Sequence, residues 1–174
     1  QEAGWEADAL RLPLLRAALL QNRYGQVLEE TKLIESFPES QVAEALAFRG
    51  LALVGIGNPQ AAQEILEGAL ERQPGLVDAQ IGMALVAAAT SDGTAAARPW
   101  LELAVADNPE SYQAWGYLGD LEHAEGNGEA AIVAYSKAIE FAPSPYLLHF
   151  RRAIARLGQN DAAGAEQDLR ALRR

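Results

Sequence analysis

Residues 112–145 read YQAWGYLGDLEHAEGNGEAAIVAYSKAIEFAPSP, and this stretch decides the fold. Apolar residues recur at helical spacing on either side of Gly126-Asn127-Gly128, a break that no helix interior favours. Trp115, Leu118 and Gly119 lie on the first run, and Ala131, Tyr135 and Ala138 on the second. Pro143 closes the stretch, because proline lacks the amide proton that the next helical turn needs. Gly119 and Ala131 are small enough to let two helices approach closely, and Tyr135 is large enough to fill the space beside a neighbour. The spacing predicts helix, turn, helix.

The same plan recurs along the chain. Pro38, Pro74, Pro109 and Pro143 follow apolar helical segments at nearly equal intervals. Shorter breaks at Gly57-Asn58-Pro59, Ser91-Asp92-Gly93, Gly126-Asn127-Gly128 and Gln159-Asn160-Asp161 divide the intervals into pairs of helices. A period of about 34 residues with this punctuation is the mark of a helical solenoid. An irregular bundle is the competing reading, but a bundle has no reason to repeat helix and turn lengths. No alternating strand pattern interrupts the series, so the chain is all-α on either account.

Residues 112–145 resemble the tetratricopeptide repeat, which pairs a Trp-x-x-Leu-Gly helix with an Ala-x-x-x-aromatic-x-x-Ala helix and a final Pro. Glu122 departs from the pattern, where a Tyr is usual. In the second repeat Gly50, Ala62, Leu66, Ala69 and Pro74 take the equivalent places. The third offers Gly82, Ala97, Leu101, Ala104 and Pro109, with one extra residue absorbed in its internal turn. The fifth has Ala153, Ala165, Leu169 and Leu172, with His149 in place of the Trp. The first is degenerate: Tyr24 and Val27 fit a second helix, whereas Pro13 is expected to interrupt the first. The resemblance implies an α-solenoid of about five repeats, near 7–42, 43–76, 77–111, 112–145 and 146–174, wound as a right-handed superhelix in one array.

Composition narrows the function. The 174 residues carry 24 acidic and 14 basic side chains, a net charge of −10, which opposes binding to a phosphate backbone. There is no cysteine, so disulfides, thiolate nucleophiles and cysteine-ligated metals are excluded. No apolar run reaches the roughly 20 residues that span a bilayer, and no signal peptide is visible. The chain starts at Gln1 and not Met, which reads as a processed protein or a piece of a longer one.

Catalytic patterns are missing. His123 and His149 fall in different repeats, outside any His-Glu-x-x-His motif, and no Ser occupies a Gly-x-Ser-x-Gly elbow. Asp120, Glu122 and His123 cluster locally and could ligate a metal, although a solvated helix face explains them as well. Gly55-Ile56-Gly57 lacks the strand and lysine of a phosphate loop and reads as a helix C-terminus. Glu29-Glu30 reads as exposed surface and not as a desolvated acid–base pair. The reading is therefore a non-enzyme without cofactor or metal.

In proteins of this resemblance the first helices line a concave face that grips a peptide or a partner's helix. Carried onto this chain, the face includes Phe48, Leu51 and Val54, then Gln80, Met83 and Val86, then Gln113, Tyr117, Asp120 and His123, then Phe150, Arg151 and Ile154. A mostly apolar lining suits an amphipathic helix or an extended apolar segment. The clamp for a terminal carboxylate that some relatives build is not reproduced: the lysines, Lys32 and Lys137, both fall on second helices. Gly116 beside Tyr117 leaves room either for a ligand backbone or for helix packing.

Charge is uneven. Residues 146–174 carry six basic and three acidic side chains, against eight and 21 before them. Arg151, Arg152 and Arg156 share one helix and read as a contact patch for an acidic partner or for another copy, while Arg170, Arg173 and Arg174 favour a helix C-terminus. An uncapped last repeat would expose the face meant for a neighbour and favour a homodimer. The Ala-, Leu- and Arg-rich repeats are also similar in style to bacterial envelope proteins of exopolysaccharide-export and exosortase type, which implies an envelope or periplasmic assembly role. The expected function is a protein-interaction scaffold for a protein or peptide partner, without nucleic-acid binding or membrane insertion. The alternatives are a self-assembly module and a regulatory domain of a larger enzyme.

Overall fold

The computed structural model describes residues 2–90, 93–142 and 146–172, with side chains from residue 9 onward. Among these residues there are ten α-helices, one 3₁₀ turn at Ile34–Ser36, and no strand. The helices are α1 Glu2–Leu20, α2 Tyr24–Glu30, α3 Glu39–Gly55, α4 Pro59–Arg72, α5 Val77–Thr90, α6 Gly93–Asp107, α7 Tyr112–Ala124, α8 Gly128–Phe141, α9 Tyr146–Gly158 and α10 Ala162–Ala171. The fold is an all-α solenoid of helix pairs. Ser91, Asp92, Pro143, Arg173 and Arg174, singled out from the sequence, lie outside the described residues. The chain divides into two compact units, Gln1–Gly93 and Thr94–Arg174.

Polar caps and left-handed turn residues set the helix limits. The side chains of Asn58, Ser111 and Asp161 each accept a hydrogen bond from the amide three residues on, at Ala61, Ala114 and Gly164. Gly57 and Gly126 have φ of +81°, and Asn22 and Asn160, at the matching places in their repeats, have φ of 56° and 60°. A left-handed residue thus follows the first helix in four repeats, including the degenerate first one.

In the N-terminal unit α3 is the hub, packed by α1, α2, α4 and α5. Leu15, Ala18, Val27, Phe37, Val42, Ala45, Phe48 and Ala52 form its core. Leu66 of α4 is seated between two glycines: a Cβ on Gly50 of α3 would fall 2.5 Å from its side chain, and one on Gly82 of α5 2.6 Å from it. Arg16 ties α1 to α3 and α5, donating to Asp78 at 2.7 Å and to Glu44 at 3.1 Å while its guanidinium lies 4.9 Å from the Phe48 ring centre. Burial lowers the Arg16 pKa, but Asp78 and Glu44 outweigh it and hold the guanidinium more firmly charged.

Three expectations need correcting here. Pro13 does not interrupt the first helix: α1 runs through it. Pro13 and Ala9, whose carbonyl loses its amide donor, both face solvent, so the freed carbonyl stays hydrated. Pro99 inside α6 repeats the arrangement, with exposed Ala95 four residues before it. Second, Gly82 does not play the part of Gly50. One period on from Gly50 stands Ala84, which is buried, whereas Gly82 faces Leu66 of the preceding repeat. Third, the same two-residue slip displaced the face assigned to α5. Gln80, Met83 and Val86 are buried and line no groove.

In the C-terminal unit α7 packs on α8, α8 on α9 and α9 on α10. Ala131, Tyr135, Ala138, Leu148 and Ala155 form the core there. Tyr135 packs with Leu148 and Ala155 of the next repeat, as its size suggested, and also lies against Gly119 of its own. A Cβ on Gly116 would meet Leu148 of α9 at 3.3 Å, so this glycine serves helix packing. Arg98 of α6 donates at 2.7 Å to Glu122 of α7, which Asn127 also bonds at 2.9 Å. The Arg98 hydrogen bond, opposed by burial and aided by Asn127, holds the Glu122 carboxyl below its ordinary range.

Candidate functional site

Phe48 drops out of the expected binding face. It is fully buried among Leu15, Ala18 and Val27, because α1 and α2 cover the position. Leu51 and Val54 are half-buried. The N-terminal unit therefore keeps little of the lining carried over from the sequence.

The C-terminal unit keeps most of its share. On α7, Tyr117 and Asp120 are half-exposed and His123 is exposed. On α9, Phe150 and Ile154 are exposed and Arg151 is half-buried beside them. Asp120 joins the helices, accepting from Arg151 Nη1 at 2.6 Å and from the Tyr135 hydroxyl at 2.9 Å. Burial pushes its carboxyl above the ordinary range, against the opposing pull of Arg151 and Tyr135. Burial and the adjacent Asp120 also push the Tyr135 hydroxyl upward. Asp120 and Glu122 serve different partners: Glu122 is buried and bonded to Arg98 and Asn127, whereas Asp120 is bonded to Arg151 and Tyr135.

Leu147 and Leu157 extend the surface and were not part of the expected lining. Leu147, Phe150, Ile154 and Leu157 are 44%, 46%, 41% and 55% exposed, which makes one continuous apolar stripe along α9. Their recurrence at helical spacing was the available signal. The arginine patch proves internally neutralised. Arg151 is held by Asp120, while Arg152 and Arg156 bond Asp168 at 2.6 and 2.8 Å. His149 Nδ1 lies 2.8 Å from the same carboxylate, which is 1% exposed. Burial raises the Asp168 pKa, but the bonds from Arg152 and His149 and the charges of both arginines outweigh it and keep it low.

A half-buried ion pair flanked by aromatic and aliphatic side chains can anchor an amphipathic segment, and nothing in it activates a nucleophile. A family model described as tetratricopeptide repeat matches residues 49–107 and 102–147, more than half of the chain. The chain belongs to the tetratricopeptide repeat family. No curated protein matches it. Among solved structures, a thermophilic tetratricopeptide protein of Thermus thermophilus superposes with a TM-score of 0.75 at 16% identity, covering 95% of this chain and 89% of that one. MamA 41-end from Desulfovibrio magneticus RS-1 gives a TM-score of 0.64 at 22% identity, covering 93% of each chain. These similarities carry the fold. Tetratricopeptide repeats are interaction scaffolds, and this chain has that architecture.

Proposed function

We propose that the chain is a non-catalytic scaffold that receives an apolar or amphipathic segment of a protein partner on the α7–α9 face. The exposed α9 stripe supports this reading most directly: four large apolar side chains on one helix face in a chain of net charge −10. Tyr117, Asp120, His123 and Arg151 supply a polar border that would fix the orientation of the bound segment. The composition of the repeats favours a bacterial envelope setting for this assembly, a point that cell fractionation decides.

The test is selection of peptides from a displayed random library on the immobilised chain, followed by titration of the best binder. A Tyr117→Glu, Leu157→Glu variant, shown by circular dichroism to remain helical, should bind that peptide at least about tenfold more weakly. Unchanged affinity would remove the α7–α9 face as the site.

A further inference from the structure

Asp120 and Arg151 form a one-to-one pair on the α7–α9 face. Arg151 Nη1 donates to Asp120 Oδ2 at 2.6 Å, and the side chains of Arg151 and Asp120 are 34% and 36% exposed. The other oxygen, Oδ1, accepts from the Tyr135 hydroxyl at 2.9 Å. Tyr135 is buried in the core of the C-terminal unit, so it ties the carboxylate to a fixed point. Held at both oxygens, Asp120 is not free to swing towards an incoming cation. Asp168 differs, because at 1% exposure it lies out of a partner's reach and serves Arg152 and Arg156.

As a set of charges the pair is complete. A cation brought against Asp120 would leave one positive charge in excess, and an anion against Arg151 one negative charge. A bound segment that covers the pair would take that excess out of water without compensation. Burial already raises the Asp120 pKa against the pull of Arg151, Tyr135 and His123, and further cover sharpens the need for balance.

As a hydrogen-bonding group the pair is not complete. Among the described residues Arg151 donates through Nη1 alone, and each Asp120 oxygen accepts one side-chain bond. The guanidinium has further N–H donors and the carboxylate further lone pairs, and the two lie side by side. An amide side chain answers both. Its carbonyl accepts from the guanidinium while its NH2 donates to the carboxylate, and no charge is added.

We propose that the segment received on this face crosses the Asp120–Arg151 pair with an asparagine or glutamine side chain, uncharged there and flanked by apolar residues. The pair then sets specificity, because it rejects charged segments that apolar contacts alone would admit. The inference rests on the peptide-binding reading and adds the chemistry of the partner's central residue.

The best peptide selected on the wild-type chain is substituted position by position with Gln, Glu and Lys. Affinities are measured at neutral pH on wild type, Asp120→Asn, Arg151→Met and the double variant. At one position the wild type should prefer Gln to both Glu and Lys by at least about tenfold. There Asp120→Asn should come to prefer Glu, Arg151→Met should prefer Lys, and the double variant should return to Gln. A wild-type preference for a charge at that position, or a preference that no variant reverses, overturns the proposal. If those peptides still lose affinity for the Tyr117→Glu, Leu157→Glu chain, the binding face stands and only the neutral centre falls. Unchanged affinity there, or no selected peptide at all, removes both. Circular dichroism confirms that each variant is helical, and Arg151→Gln takes the place of Arg151→Met if the latter does not fold.

Discussion

Tyr135 presses on Gly119 so closely that a Cβ at that glycine would sit 2.6 Å from the ring carbons. Alanine would gain about 1 kcal/mol in helix propensity there. It would also displace a ring that is 2% exposed and hydrogen-bonded to Asp120, and overpacking of this kind costs about 1–3 kcal/mol. Gly119→Ala should therefore destabilise the chain by up to about 2 kcal/mol in urea denaturation. The fifth repeat carries Ala153 with Leu169 at the same two places. Adding Tyr135→Leu to Gly119→Ala should thus cost less than the two single changes together, by about 1 kcal/mol.

The small size of Gly119 and the filling role of Tyr135 were legible in the sequence, but their contact was not, since Gly119 was paired there with Ala131 and Tyr135 with a neighbouring repeat. The third repeat shows where legibility ends. Gly82 is a glycine near the right place, and matching by residue type in preference to counting one full period from Gly50 shifted α5 by two residues. That slip turned the core residues Met83 and Val86 into supposed groove lining. Pro13 misled differently, because the carbonyl it deprives of a donor, at Ala9, faces solvent and α1 continues through it. The partners of the buried charges were out of reach altogether. Arg16 finds Asp78 across 62 residues, and neither residue type nor local spacing announces the pair. The α9 stripe was half legible: Phe150 and Ile154 were placed through the resemblance, whereas Leu147 and Leu157 needed only the helical period.

Asp168 supplies a prediction with a pH sign. Its carboxylate neutralises Arg152 and Arg156, whose side chains are only 14% and 18% exposed. Asp168→Asn keeps the shape but removes the charge that Arg152 and Arg156 share. It leaves Arg152 without a carboxylate and Arg156 only the longer pair with Asp161 at 3.7 Å, which should cost about 2–3 kcal/mol at neutral pH. The folded pKa lies below the ordinary value, so the stabilisation is complete above about pH 4 and is lost as pH falls through the folded value. Denaturation curves of wild type and variant should therefore differ most near neutrality and converge in acid. A gap that stays constant down to acid unfolding would mean that the carboxylate charge is not what holds the α9–α10 pair.

The left-handed turn residues permit a cleaner comparison. A Cβ on Gly126 would meet nothing within 4 Å, so any cost of Gly126→Ala comes from the backbone at φ +81° and not from a clash. About 1 kcal/mol is expected. Asn160 holds the corresponding place at φ 60°, where asparagine carries part of that strain. Asn160→Gly should consequently be neutral or stabilising by a few tenths of a kcal/mol, a sign opposite to that of Gly126→Ala in the same thermal-melt series.

Arg16 governs how firmly the first helix is held. It is α1's charged link to both Glu44 of α3 and Asp78 of α5, and Asp78 is 6% exposed. Arg16→Met keeps the stem over Phe48 but strands a buried carboxylate, at a cost of about 2 kcal/mol. In a repeat series each element leans only on its neighbours, so the loss should be local to the N-terminal unit. Hydrogen exchange of the α1 amides after Pro13 should accelerate about thirtyfold, while the amides of α7 to α10 keep their wild-type rates. Replacing Asp78 with Asn in the same molecule removes the stranded charge and should restore most of the protection. If acceleration reaches α8, the two units unfold together and the local account of Arg16 fails.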